Sequence, residues 1–254
     1  MHYKESPHLA VERFHAEFLR GLSSVLDSGL YAVKGGVNLR LCLGSVRCSE
    51  DLDIDVRTVA KGTLKKSVDR LLADRLPKVL LACGFSIAQF SSPKQTDTVQ
   101  RWKATLTVGA TPVATKVEFS RRGIGEGVES GLIHSQLSLV HQMAPFAVPH
   151  YTIPAAVRQK VEALAGRPLT QARDVFDLHF LFSQGGRLAV AEVSPTLLAK
   201  AAENCLSLSH KDYLGQVAAY LPVEHSPAYE AKAVWTAMQE EVFGVLEKAV
   251  EKSS

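Results

Sequence analysis

The chain has 254 residues, 46% of them hydrophobic and 22% charged, with a formal net charge of +3. That is enough apolar mass for one large domain or two modest ones, and it excludes global disorder. A pI near 8.6 is mildly basic, compatible with a nucleic-acid partner but too weak to demand one.

Four cysteines, Cys42, Cys48, Cys83 and Cys205, lack CxxC spacing. They read as reduced thiols of a cytoplasmic protein, not as a disulfide framework or a zinc site. The opening residues carry no apolar signal-peptide core, and no stretch approaches the ~18 apolar residues of a membrane span, so no membrane is expected.

From Ser6-Pro7 to about Leu26 the apolar spacing predicts a helix that packs through Phe14, Phe18, Leu19 and Leu22. His8 and His15 within it read as surface or core residues, not ligands. Tyr31 to Lys34 reads as a short strand, followed at once by Gly35-Gly36 and a short helix over Val37 to Leu43. A strand, two glycines and a helix start let backbone N–H groups approach an anion, although a glycine pair alone also makes an ordinary tight turn.

Ser49-Glu50-Asp51-Leu52-Asp53-Ile54-Asp55-Val56 alternates acidic and branched apolar residues. A strand throws alternate side chains to opposite faces, so Asp51, Asp53 and Asp55 fall in one row with Leu52, Ile54 and Val56 behind. Carboxylates in a row raise one another's pKa, and a hard dication such as Mg²⁺ or Mn²⁺ relieves that cost. A solvated edge strand carries similar charge. Arg47 and Arg57 bracket the run and read first as charge balance.

Leu64 to about Ala82 predicts a second amphipathic helix, with Pro77 kinking or splitting it. Strands follow at Phe85–Phe90, Trp102–Val108 and Val113–Ser120, with a turn at Ser91-Ser92-Pro93. The last strand carries Glu118 between Val117 and Phe119. Paired beside the acidic strand, Glu118 reaches the same cation; taken singly, it is one exposed Glu. Gly123 to Gly131 lacks the Lys-Ser/Thr ending of a P-loop and reads as a flexible connection. His134, His141 and His150 have no metal spacing. Ile153-Pro154 opens a helix containing Lys160, and a further helix starts near Gln171 with Arg173-Asp174-x-x-Asp177-Leu178. There Asp174 and Asp177, and Arg173 and Asp177, share a face. Beyond Leu188 the chain reads as helices, with Ser194-Pro195 and Ser226-Pro227 as starts and a long last helix.

Lys34-Gly35-Gly36, then Arg47-x-Ser49-x-Asp51-Leu52-Asp53, then Lys160, Arg167 and Arg173-Asp174-x-x-Asp177-Leu178 resemble the AbiEii/AbiGii-type nucleotidyltransferase toxins, over roughly residues 14 to 182. These belong to the polymerase-β-like nucleotidyltransferase superfamily. The resemblance implies an α+β fold, with a nucleotidyltransferase mixed-sheet core over 1–145 and a mainly helical region over 146–254 that contributes Lys160 and Asp174 to the site. It implies transfer of a nucleotide from a nucleoside triphosphate to an acceptor, with RNA, and tRNA in particular, expected. Asp51 and Asp53 would hold Mg²⁺ or Mn²⁺, Glu118 would complete the metal set, and Lys34, Gly35, Gly36 and Ser49 would seat nucleotide. Lys160 would balance triphosphate charge, and Asp174 would orient Lys160 or fix the acceptor. Asp55 stands outside the core pair. The resemblance also implies a toxin paired with an antitoxin protein.

Arg101, Lys103, Lys116, Arg121 and Arg122 cluster around Glu118 in sequence and read as a rim for RNA phosphates or as charge balance for the acids. Two other functions stay open: a metal-dependent nuclease, and a non-catalytic protein that binds nucleotide or a partner.

Overall fold

The computed structural model describes residues 7–222 and 225–253; Ser6, the expected first helix start, lies outside them. The chain forms two compact units. The first runs to Gly44 and again from Cys48 to Tyr151; the second takes Ser45–Arg47 and the chain from Thr152 onward.

The first unit is built on a seven-stranded mixed sheet. Its strands are β1 (Tyr31–Lys34), β2 (Asp51–Val56), β3 (Phe85–Gln95), β4 (Val99–Val108), β5 (Thr111–Ser120), β6 (Val128–Leu132) and β7 (Ala147–Tyr151). The order is β3-β4-β5-β2-β1-β7-β6. β2 runs parallel to β5 and β1 parallel to β7, and the other neighbours are antiparallel.

Strand alternation gives this sheet one apolar face. Leu52, Ile54, Trp102, Leu106, Val117 and Phe119 are buried on it. The helix α1 (Pro7–Leu22) covers that face with Phe14, Phe18 and Leu19. Trp102 and Phe119 meet edge to face at 5.6 Å, and the Trp102 indole donates to Asp69 Oδ1 at 2.7 Å. Each such side chain contributes on the order of 1.5–3 kcal/mol by leaving water.

α1 stops at Leu22, short of Leu26. Ser23 and Ser24 turn their hydroxyls onto the Arg20 and Gly21 carbonyls, which closes the helix, while Leu26 still packs on the core. After β1 comes the short turn α2 (Gly35–Val37), widened into a π-helical turn over Asn38–Cys42. Pro77 splits the next helix. α3 (Lys61–Arg70) passes through a wide turn at Leu71–Arg75 into α4 (Leu76–Ala82), which accommodates a residue without an N–H.

Two loop expectations need correction. Ser91-Ser92-Pro93 is not a turn. β3 runs through it to Gln95 with a register shift between Ser91 and Lys94, because an edge strand tolerates proline at a bulge. The glycine-rich stretch is not all loop either: Val128–Leu132 is β6, paired with β7. α5 (Ser135–Val140) follows it.

The second unit is helical: α6 (Ile153–Gly166), α7 (Ala172–Ser183), α8 (Pro195–Ser207), α9 (His210–Gln216), α10 (Ser226–Tyr229) and α11 (Lys232–Ser253). Val161, Leu164, Leu178, Leu181, Leu198, Val242 and Leu246 are fully buried within it. Ser194 caps α8, and a Ser209–Asp212 capping box starts α9. The expected single last helix is broken. α10 ends where Tyr229 packs on Phe176 and the Glu230 carbonyl meets His210 Nε2 at 2.8 Å. Among the described residues no helix is long and apolar enough to cross a membrane, and all four cysteines are free.

Candidate active site

Opposite the apolar face, the first unit's sheet carries a row of charges. In register, Lys34 on β1 pairs with Asp53 on β2, Asp53 with Glu118 on β5, and Glu118 with Arg101 on β4. The next row pairs Asp51 with Lys116 and Lys116 with Lys103.

Most of these acids have a cation. Lys116 Nζ is 2.7 Å from Asp51, Arg101 Nε is 2.5 Å from Glu118, and Lys34 Nζ is 2.6 Å from Asp55. Asp53 alone of the four has no ion-pair partner among the described residues. Burial pushes its carboxyl above the usual range; Asp51 and Glu118 add to this, while the nearby charges of Lys116 and Lys34 oppose it. Lys34, Arg101 and Lys116 are each seated on another acid, and Lys103 lies beyond Lys116 in register, so the acid left without an ion pair among the described residues is Asp53.

Asp55, which sequence set apart as a neighbour, is an anchor. It is buried, and its second oxygen accepts from the Tyr151 hydroxyl at 2.7 Å. That hydroxyl in turn accepts from Gly125 N–H at 2.9 Å. Asp55 thus ties Lys34, β7 and the glycine-rich loop together. Nothing in the local sequence around Tyr151 marks it for this role.

The glycine turn adjoins the same row. Gly35 has φ +67°, a left-handed backbone conformation, and a Cβ there would lie 3.1 Å from Asp53 Oδ2. Glycine is therefore required both for the turn and for the close approach to the acid. The segment entering β2 is pinned from two sides. Ser49 Oγ donates to the Asp51 carbonyl at 3.0 Å, and Thr115 Oγ1 to the Glu50 carbonyl at 2.6 Å. Thr115 is held in turn by buried His15, whose Nε2 is 2.8 Å from its hydroxyl. Glu12 on α1 lies under the same region, bonded to His141 and Arg40.

The basic cluster divides. Arg101, Lys103 and Lys116 share the charged face. Arg121 turns away, donating to Gln100 Oε1 and the Val59 carbonyl. Arg122 is exposed and lines a separate cleft of about 210 Å³ with Arg57.

Lys160 and Asp174 lie in the second unit, in a buried network. Lys160 Nζ is 3.1 Å from Asp174 and 2.6 Å from Asp177. Arg167 Nε is 2.6 Å from Asp174. Arg47 grips Asp177 with Nε and Nη2, the shortest contact being 2.9 Å. Arg173, expected to pair with Asp177 one turn on, does not; Arg47 and Lys160 take that place. Burial alone would raise the Asp177 carboxyl, but the charges and hydrogen bonds of Arg47 and Lys160 outweigh it and hold it below its ordinary value.

Asp51, Asp53 and Glu118 are hard oxygen donors at adjacent register positions, the donor type that suits Mg²⁺ or Mn²⁺. A dication is also what would relieve the uncompensated charge on Asp53. With Lys116 and Arg101 seated on the outer two acids, no three His, Cys, Asp or Glu side chains converge on one point among the described residues. The donor chemistry, three carboxylates at adjacent register positions, suits such an ion.

A mixed sheet with paired acids on one strand, a third acid on the parallel neighbour and a glycine turn beside them is the arrangement of a polymerase-β-like nucleotidyltransferase core. The chain belongs to the AbiEii nucleotidyltransferase toxin family of type IV toxin–antitoxin systems, whose family model matches residues 17–252. The match runs well past the last family motif visible in the sequence, through the helices of the second unit. JHP933 from Helicobacter pylori has a similar fold, with 21% identity, a TM-score of 0.58, and 97% of this chain and 96% of that one covered. MenT4, a nucleotidyltransferase toxin from Mycobacterium tuberculosis, is similar at 19% identity and a TM-score of 0.57, over 96% of this chain and 92% of that one. No curated protein matches the chain.

Proposed function

We propose that the protein transfers a nucleotide from a nucleoside triphosphate to a hydroxyl of an RNA acceptor, tRNA above others, with a divalent cation held by Asp51, Asp53 and Glu118. The observation that carries this reading is Asp53, a half-buried carboxylate with no ion-pair partner among the described residues, between Asp51 and Glu118 and with Gly35 against it. When bound, Mg²⁺ or Mn²⁺ neutralises triphosphate charge and lowers the cost of forming the attacking oxygen.

The chain's own residues do the positioning that phosphoryl chemistry depends on. Gly35 and Gly36 bring backbone N–H groups to the phosphates, with Lys34, held by Asp55, beside them. Ser49 keeps the entry to β2 in place. Lys116 and Arg101, now spent on Asp51 and Glu118, become available to phosphate when those acids find another partner. Lys160 supplies charge for the triphosphate and Asp174 orients it, in line with the family resemblance and with their 3.1 Å contact. The acceptor oxygen bonds to the α-phosphorus as the bond to the bridging oxygen breaks; pyrophosphate leaves and the hydroxyl proton passes to solvent. An RNA acceptor is supported by the resemblance and by the basic side chains beside the acids. Growth inhibition restrained by a cognate antitoxin follows from the family's biology.

The test is to supply each labelled nucleoside triphosphate with purified tRNA, total RNA or protein, with and without Mg²⁺. Label entering RNA only with Mg²⁺ is the expected result. RNA cleavage without incorporation would restore the nuclease reading, and label in protein alone would discard RNA as the acceptor.

A further inference from the structure

A groove of about 450 Å³ crosses the charged face of the first unit's sheet and reaches Asp51. Its place follows from strand alternation. Ser91, Lys103, Lys116 and Asp51 form one cross-strand row, and Gln89, Thr105 and Ala114 form another. The row between them turns its side chains to the opposite face, so its backbone is the floor. Three strand spacings of about 4.8 Å make the groove about 14 Å long. It has room for a few nucleotides at ~3.4 Å per stacked residue, and its volume suits one narrow chain better than a duplex.

Its charge is graded along its length. Glu50 and Asp51 close one end, with Asp51 already matched by Lys116. Lys103 is exposed in the middle and has no ion-pair partner among the described residues. The other wall, Gln89, Thr105 and Ala114, is neutral and carries amide and hydroxyl groups. A chain that alternates anions with flat, partly apolar groups matches a lining of Lys103 and Lys116 beside Phe90, Gln89, Thr105 and Ala114.

Sheet order says which substrate comes this way. Lys34 and Gly35 flank β2 on the β1 side, while the groove spans β5, β4 and β3 on the other side. Two reactants that meet at Asp51 and Asp53 must approach without overlapping. With the triphosphate on the glycine-turn side, the opposite side is left for the acceptor.

We propose that this groove seats the single-stranded end of a nucleic-acid acceptor, with Lys103 and Lys116 on its backbone phosphates and its terminal hydroxyl delivered at Asp51. Contacts to phosphate from lysines carry no sequence information, while Phe90 offers a face for base stacking and Gln89 an amide for a base edge. The inference rests on the nucleotidyltransferase reading for its direction, but binding is measured apart from transfer.

The experiment is fluorescence anisotropy of a labelled short single-stranded RNA on the full chain, over a salt series. Lys103→Glu is expected to raise Kd about tenfold or more at low salt and to flatten the log Kd–log salt slope by about one phosphate contact, ~0.7. Lys103→Gln is the milder variant should charge reversal disturb the sheet, and circular dichroism checks both. Arg122→Glu, outside the groove, is expected to leave Kd within about twofold. Nucleoside triphosphate affinity is expected to be unchanged in Lys103→Glu. An unchanged RNA Kd in Lys103→Glu overturns the proposal. So does loss of triphosphate affinity in place of RNA affinity, or competition by oligoglutamate as strong as that by unlabelled RNA. RNA binding that depends on Lys103 in a protein that never transfers nucleotide would keep the groove and sink only the transferase reading.

Discussion

Asp53 and Glu118 are direct register partners across the parallel junction of β2 and β5, with Lys34 and Arg101 extending the same row on either side. The arrangement carries an electrostatic cost. Two carboxylates face one another, and Asp53 has no ion-pair partner among the described residues. Structures retain such strain where a ligand relieves it.

Gly35→Ala tests how closely the glycine turn and the acid are coupled. The left-handed φ costs an alanine about 1–2 kcal/mol, and the added Cβ would sit 3.1 Å from Asp53 Oδ2. The expected outcome is a modest loss of stability in chemical denaturation with at least about a tenfold loss of transfer rate. Parental transfer in this variant would separate the turn from the site.

Tyr151→Phe tests the anchor. It removes the hydrogen bond to buried Asp55 and leaves Gly125 N–H without that acceptor. Stability should fall by about 1–3 kcal/mol. Transfer should fall too, with a rise in the triphosphate KM, because Lys34 loses part of its positioning. A KM unchanged from the parent would confine the Asp55 cluster to folding.

Asp177→Asn tests the network of the second unit. Removing the carboxylate leaves Arg47 and Lys160 buried with an uncompensated charge, a loss of about 3–5 kcal/mol. The folded carboxyl is held below its ordinary 3.8. Its contribution is therefore present above that pH and is lost as pH falls below it. The stability gap between parent and variant should be widest near neutral pH and narrow in acid. A gap independent of pH would contradict the assignment.

His15 acts on the same acid side of the pH profile, but from a higher pH. Thr115 donates its hydroxyl hydrogen to the Glu50 carbonyl, so it accepts from His15 Nε2–H, and the ring is neutral. Burial pushes its pKa from 6.5 down to about 3. The unfolded chain takes up a proton in that window and the native one does not, so stability should fall by up to about 1.4 kcal/mol per pH unit below 6.5. His15→Phe should flatten that slope in denaturation curves taken between about pH 7 and pH 5. An identical slope would remove His15 as its source.

The parts of this site that were legible in the sequence are those carried by local pattern. Alternation marked β2, and a strand followed by two glycines marked the turn before it. What stayed hidden depended on strand order and register. Lys116 on Asp51 and Arg101 on Glu118 are cross-strand pairs, invisible until β4, β5 and β2 are set side by side. Arg47 and Asp177 lie 130 positions apart, and i,i+4 spacing pointed to Arg173 instead. Pro93 and the glycines after Ser120 signalled loops, because turn chemistry and edge-strand chemistry use the same residues; the pairing partner decides between them. Tyr151 carried no local signal, since its role comes from β7 lying parallel to β1.

The most direct measurement of the central claim is nucleotide transfer by Asp53→Asn beside the parent protein, at saturating Mg²⁺, with thermal unfolding recorded for both. Asparagine removes the uncompensated charge and keeps the shape. The account predicts that transfer falls to background while the variant, in chelator, unfolds at the parental temperature or above it, because repulsion between Asp53 and its neighbouring carboxylates is gone. Transfer at the parental rate by the folded variant would contradict it.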